Sequence, residues 1–128
     1  MIVGLGVDLV EIGRVRQLHA RFGDRFARRL LAPEEWREYA RATDPARVLA
    51  KRFAVKEAAA KALGTGIARG VAFPDILTTH REHGAPVLEF RARAAAIARE
   101  LGVARPLVTL SDERDHVVAL VVLEGRSG

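Results

Sequence analysis

There is no cysteine in the sequence. Disulfides and thiolate metal sites are therefore excluded, any metal must be held by oxygen or imidazole ligands, and the reducing cytoplasm is the natural setting. No apolar run approaches the ~20 residues that a membrane-spanning helix needs, so the sequence does not read as a membrane protein. The first residues, MIVGLGVDLVE, lack the basic segment and small-residue cleavage site of a signal peptide and read as a strand. Internal repeats, linkers and low-complexity segments are missing as well. At 128 residues the length suits one ordinary domain, 1–128. Lysine is scarce beside arginine, yet together they number 21 against 16 acidic residues, a net charge of +5. Such a balance favours an anionic partner: nucleic acid, phosphate groups, a membrane surface or an acidic protein. Composition alone does not choose among them.

Val3, Leu5, Val7 and Leu9 alternate with Gly4, Gly6 and Asp8, the period of two that marks a strand with one apolar face. Asp8 then shares its face with two glycines, which leave open space beside it. Over residues 11–31, Ile12, Val15, Leu18, Phe22, Phe26 and Leu30 recur at helical spacing, with a break near Gly23. Pro33 opens a further short helix, residues 42–45 read as a turn, and an alanine-rich helix over 46–63 is closed by Gly64. Strands are expected over 73–79 and 86–90, joined by a turn around Gly84, then a helix over 92–101 ended by Gly102. Two more strands follow over 107–110 and 116–123, and the tail 125–128 is expected to fray. The hairpin-like pairing predicts an α+β domain, a small, mostly antiparallel sheet packed against a long helix.

Two stretches gather the chemistry. An ionised carboxylate such as Asp8, buried without a partner, costs about several kcal/mol, so a cation is expected beside it. The long helix contains RFAVKEAAAKALGTG, residues 52–66. Phe53, Glu57 and Lys61 follow one another at i, i+4 and i+8 along one face, while Ala54, Ala58 and Ala62 form a thin neighbouring face that lets the helix approach the sheet closely. Two readings of Glu57 and Lys61 stay open: an exposed helical ion pair, or charges presented to a crevice. Asp8 and Glu57 together would suit one hard divalent cation, with Mg2+ the natural candidate because it accepts one or two protein carboxylates and completes its shell with water and phosphate oxygens. Arg52, Lys56, Lys61 and the loop Gly64, Thr65, Gly66 would then offer cationic and backbone N–H contacts to a polyphosphate. The alternative for Asp8 is a cap on the helix that follows it.

These stretches also carry a family resemblance. GLGVDLVEIGR matches the G-x-G-x-D-x-x-E-I-x-R element, and RFAVKEAAAKALGTGI the R-F-x-x-K-E-A-x-x-K-A-x-G-T-G element, of the holo-[acyl-carrier-protein] synthases, the short phosphopantetheinyl transferases. The elements come in the right order and separation, and the resemblance covers essentially the whole chain. It implies a 4′-phosphopantetheinyl transferase-like fold and an enzyme that moves 4′-phosphopantetheine from coenzyme A to a serine of apo acyl carrier protein. Release of 3′,5′-ADP, a requirement for Mg2+ and service to fatty-acid synthesis are implied with it.

By the same resemblance Asp8 and Glu57 are the metal ligands, and Glu57 and Lys61 the catalytic residues. Glu57 takes the serine proton and Lys61 stabilises charge on the pyrophosphate. Arg52, Lys61, Gly64, Thr65 and Gly66 hold coenzyme A, and Glu11 orients the site. Arg14, Arg16, Arg21, Arg25, Arg28 and Arg29 surround Phe22 and Phe26, and the resemblance assigns this segment, with Arg14, Arg21, Arg25 and Phe26 foremost, to docking the acidic carrier. Without it, the segment reads as a solvated arginine face. The family is usually a homotrimer with coenzyme A between subunits, and the apolar run HVVALVVLE fits either such an interface or a central strand.

One position departs from the pattern. Many members follow a serine or threonine by histidine there, and this chain has Ser111 followed by Asp112, which puts in question any contact of that histidine to coenzyme A; His116 reads as a surface or strand residue and not its substitute. The rival reading is a non-catalytic module for coenzyme A or nucleic acid. It rests on that departure and on net charge, and no nucleic-acid motif supports it, so no nucleic-acid partner is expected.

Overall fold

A computed structural model describes residues 1–126. Strand β1 (Ile2–Glu11) leads straight into helix α1 (Ile12–Phe22). Gly23, at a φ of 55°, turns the chain into α2 (Asp24–Leu30). A 3-10 turn, Pro33–Glu35, precedes α3 (Trp36–Arg41), and the long helix α4 (Pro45–Ala62) follows. The remaining elements are β2 (Ile76–His80), β3 (Pro86–Phe90), α5 (Ala92–Leu101), β4 (Val103–Asp112) and β5 (His116–Gly125).

All strand pairs are antiparallel, as expected, but they divide into two sheets: β1-β5-β4, and the hairpin β2-β3. The strand expected over 73–79 starts only at Ile76. Before it, Phe73–Asp75 forms a 3-10 turn in which Pro74 lacks an N–H for a ladder and Asp75 Oδ2 accepts the Ala72 N–H at 3.0 Å. β4 is longer than its apolar centre suggested. Gly125, expected to fray, ends β5 and donates its N–H to Met1 O at 2.7 Å; residues 127–128 of that expected tail lie outside the described residues.

Helix α4 lies against the inner face of the three-stranded sheet, with Ala54, Ala58 and Ala59 fully buried over Val117, Ala119, Val121 and Leu123 of β5. Against β1 the approach is closer still. A Cβ on Gly6 would fall on the Ala58 carbonyl oxygen and 2.8 Å from Ala62 N, and one on Gly4 would fall on the Ala62 carbonyl oxygen and 3.0 Å from Leu123 Cδ1. The expected open space beside Asp8 is thus filled by helix backbone, and glycine is the residue that permits it. The apolar face of β1 is consequently its outer one. Leu5, Val7 and Leu9 are 63%, 55% and 67% exposed and stand in register with Val122, Leu120 and Val118 of β5.

Lys56 is fully buried. Its ammonium donates to Glu35 Oε1 at 2.6 Å, to Phe73 O at 3.1 Å and to Ile76 O, while Glu35 Oε2 accepts the Thr78 N–H at 3.1 Å and Oε1 the Ala32 N–H at 2.9 Å. The expectation that Lys56 faces a polyphosphate is corrected here. One residue before Glu57, it points about a quarter-turn away and into the core.

Candidate active site

Asp8 lies on the inner face of β1 beyond the two glycines, with its side chain only 15% exposed. The cation it calls for is Lys61, whose Nζ donates to Asp8 Oδ1 at 2.8 Å and to Val7 O at 3.1 Å. Asp8 is therefore not a helix cap; Glu11 stands at the start of α1, where no side chain caps the helix. Glu57, one turn before Lys61, lines a cleft of about 270 Å³ together with Asp8, Glu11, Arg14, Phe53 and Leu18. Burial pushes its carboxyl above the ordinary value of 4.5, Asp8 pushes it the same way, and Lys61 opposes them.

Two carboxylates that repel across one cleft, with an ammonium bound directly only to Asp8, are an oxygen donor set short of positive charge. That suits a hard divalent cation. Among the described residues no cluster of three carboxylate or imidazole side chains is close enough to form a metal site of its own.

The loop after α4 behaves otherwise than expected. Gly64 N–H donates to Lys61 O at 2.9 Å, and the N–H groups of Thr65 and Gly66 both reach Ala60 O, at 3.2 and 3.1 Å. With left-handed φ values of 83° at Gly64 and 60° at Gly66, the segment is the C-terminal cap of α4. Its N–H groups are taken by helix carbonyls, at the helix end whose partial charge repels anions. The expected N–H cradle for phosphate is corrected accordingly.

Arg52 is not beside Asp8 and Glu57. It lines a second cleft, of about 240 Å³, with Lys51, His80 and Thr109. The side chain is buried, Glu38 Oε1 stands 3.6 Å from its Nε, and among the described residues neither Nε nor Nη1 has a hydrogen-bond acceptor. Asp112 lies nearby at the end of β4. Its Oδ2 accepts from Arg47 Nη1 at 2.8 Å, and Lys51 Nζ is 3.7 Å from Oδ1, so this departure ties the β4–β5 hairpin to α4 by an ion pair. His116 is at the start of β5, 3.0 Å from Glu113 Oε1.

The arginines do not form one stripe. Arg25 and Arg29 flank an apolar groove of about 280 Å³ floored by Leu18, Phe22, Phe26 and Phe73, and Arg21 sits 5.1 Å over the Phe22 ring. Arg14 lines the carboxylate cleft instead, Arg16 pairs with Asp44 at 2.9 Å, and Arg28 lies 5.9 Å over Trp36. Cleft and groove share Leu18, and the rings of Phe53 and Phe73 meet 5.5 Å apart at their junction. Phe73 was not anticipated as a site residue; the helical phase linking Phe53 to Glu57 was the signal for Phe53.

A family model described as the 4′-phosphopantetheinyl transferase superfamily matches residues 4–121. The chain belongs to this superfamily. Among relatives, it is 51% identical over 123 residues to a holo-[acyl-carrier-protein] synthase of Yersinia pestis (strain Pestoides F), covering 96% of this chain and 98% of that one. The crystal structure of holo-[acyl-carrier-protein] synthase from Neisseria meningitidis superposes with a TM-score of 0.88 at 45% identity, over 97% of this chain and 99% of that one. A Bacillus anthracis synthase in complex with CoA (3′,5′-ADP) superposes with a TM-score of 0.82 at 31% identity, over 98% and 99% of the two chains. The paired antiparallel sheets around α4 are thus the architecture of this group of phosphopantetheinyl transferases.

Proposed function

We propose that this phosphopantetheinyl transferase moves 4′-phosphopantetheine from coenzyme A to a serine of apo acyl carrier protein and releases 3′,5′-ADP. The observation that carries the reading is the Asp8–Glu57 cleft opening beside an arginine-flanked apolar groove, so that an anionic substrate and an acidic protein meet at one edge. The serine oxygen bonds to phosphorus as the pyrophosphate P–O bond breaks, and the nucleotide leaves with that oxygen. Glu57, held above an ordinary carboxylate pKa, is well matched to accept the serine proton. Lys61, half-exposed and bound to Asp8, would meet charge on the pyrophosphate. Asp8 and Glu57 would hold Mg2+, which when bound neutralises and orients the pyrophosphate. A cytoplasmic enzyme serving fatty-acid synthesis is the fitting context; the absence of cysteine agrees with it. Incubation with coenzyme A, Mg2+ and an apo carrier should add the mass of one phosphopantetheine to the carrier. A folded protein that binds coenzyme A and leaves the carrier unmodified would favour the non-catalytic module instead.

The assembly we propose is a homotrimer with coenzyme A between subunits. Leu5, Val7, Leu9, Leu120 and Leu107 make a contiguous exposed apolar face on the β1-β5-β4 sheet, larger than a lone surface residue requires and suited to burial against another copy. This arrangement also gives Arg52 a use: its guanidinium, whose Nε and Nη1 lack hydrogen-bond acceptors among the described residues, would on one subunit serve the nucleotide held by the Asp8–Glu57 cleft of the next, with Gly64, Thr65 and Gly66 adding surface contact beside Lys61. Leu120→Lys should therefore convert the trimer to monomer in sedimentation analysis and weaken coenzyme A binding by at least roughly tenfold. A monomeric parent protein, or a monomeric variant with undiminished affinity, would overturn the shared site.

For the carrier, Arg25→Glu replaces attraction by repulsion at the rim of the groove. The expected result is a fall in kcat/KM for the carrier of roughly tenfold at low salt, shrinking as salt rises, with coenzyme A affinity nearly unchanged. Phe26→Ala should weaken carrier use with little salt dependence. Steady-state kinetics at two ionic strengths checks both, and equal loss of coenzyme A binding in Arg25→Glu would move the groove to the nucleotide side.

A further inference from the structure

Lys56 and Glu35 form a buried pair with every charge-bearing group engaged. The three ammonium protons meet Glu35, Phe73 O and Ile76 O, and the carboxylate collects the N–H groups of Ala32 and Thr78 besides. Burying two ions is costly, and apolar residues of similar size often serve stability as well or better, so stability alone does not account for the pair. Three of its four backbone partners, Phe73 O, Ile76 O and Thr78 N, belong to one short segment, the turn and strand start that carry Phe73. Lys56 itself stands between Phe53 and Glu57 on α4.

Phe53 walls the carboxylate cleft and Phe73 walls the arginine-flanked groove, their rings 5.5 Å apart. Whatever fixes Phe73 relative to α4 fixes the partition between the two. We propose that Lys56 and Glu35 are positioning residues for group transfer, their buried pair holding the Phe53–Phe73 wall so that a docked carrier presents its serine in line with Glu57. The inference rests on the transfer reaction proposed above.

Two variants test it. Lys56→Met leaves a buried carboxylate and two carbonyls without their donor and will lower the thermal midpoint. Below that midpoint, where circular dichroism shows the protein folded, kcat/KM for the carrier should fall roughly tenfold to a hundredfold, while KM for coenzyme A stays within about threefold. Glu35→Gln, isosteric and still an acceptor for the ammonium, should show the same split more weakly and serves if Lys56→Met does not fold. Ring-proton NMR shifts of Phe53 and Phe73 in the free enzyme read the wall without any assay and should move in Glu35→Gln. Unmoved ring resonances, or carrier kinetics of a folded variant equal to the parent's, would reduce the pair to a structural tie and overturn the proposal. A parent enzyme that fails to modify any carrier sinks the proposed function instead, and the ring resonances still decide the wall.

Discussion

Glu57→Gln will abolish carrier modification and, in the absence of divalent metal, leave a protein more heat-stable than its parent. The loss should be at least about a hundredfold in turnover, the usual contribution of a positioned base, with metal binding weakened besides. The stability gain follows from linkage. A carboxyl whose pKa is raised on folding contributes stability below its unfolded value and loses that contribution as pH rises through its folded value. Glu57 is such a group, through burial first and Asp8 second, so its ionised form is the costly one at neutral pH, and glutamine removes that cost. In EDTA the gap in thermal midpoint between variant and parent should therefore widen from acid to neutral pH. Added Mg2+ should raise the midpoint of the parent and not that of the variant. Asp8→Asn should also lose activity, but less, since it leaves the base in place. Near-normal turnover of either variant at low Mg2+ would remove the two-carboxylate site.

Gly6→Ala will be severely destabilising, because no space is left for a methyl group between β1 and α4. The new Cβ would collide with the Ala58 carbonyl oxygen and lie 2.8 Å from Ala62 N, both backbone atoms of α4 that cannot swing aside as a side chain would. A cost of about 3 kcal/mol or more is expected, which in a domain of this size lowers the thermal midpoint by more than about 10 °C. Because Asp8 lies two residues on along the same strand face, and Lys61 must reach it from α4, the surviving folded fraction should also bind metal weakly. Gly13→Ala is the control: its Cβ would meet only Glu11 Oε1, at 3.5 Å, and should be far milder. A thermal midpoint for Gly6→Ala close to the parent's would mean that helix and strand are not in the contact described.

The strand at the start, the broken helix and the alanine-rich helix were legible because each is written in a local period; that Asp8 and Glu57 line one cleft was suggested by their chemistry and by the family resemblance, not by any period. What local pattern does not carry is which side of β1 meets the helix. Leu5, Val7 and Leu9 look like a core face in isolation, and only the helix backbone seated on Gly4 and Gly6 assigns the core to the other side. Lys56 shows the same limit. Its neighbour Glu57 fixes its direction on α4, but the acceptors at Glu35, Phe73 and Ile76 come from segments about twenty residues away in either direction and are set by tertiary packing alone. Gly64 was read correctly as the end of α4, but the N–H cradle expected over Gly64–Gly66 was not found, because a glycine-rich segment serves equally as an anion cradle and as a helix cap. Only its position after the helix, where carbonyls and not N–H groups are left over, separates the two.

The pairing of β1 with β5, Ile2 opposite Glu124, sets an order on how the protein is made. On the ribosome β1 and α4 emerge early, yet the strand that lies between β1 and β4 comes last. Until residues 116–124 are released, the buried alanines of α4 lack the part of their cover that β5 supplies, and β1 lacks the one strand it pairs with among the described residues. Closure of the domain therefore waits on a contact distant in sequence, of the kind that folds slowly and leaves apolar strands open to wrong partners meanwhile. A stalled chain ending before His116 should accumulate as a chaperone client, whereas one that includes β5 should not.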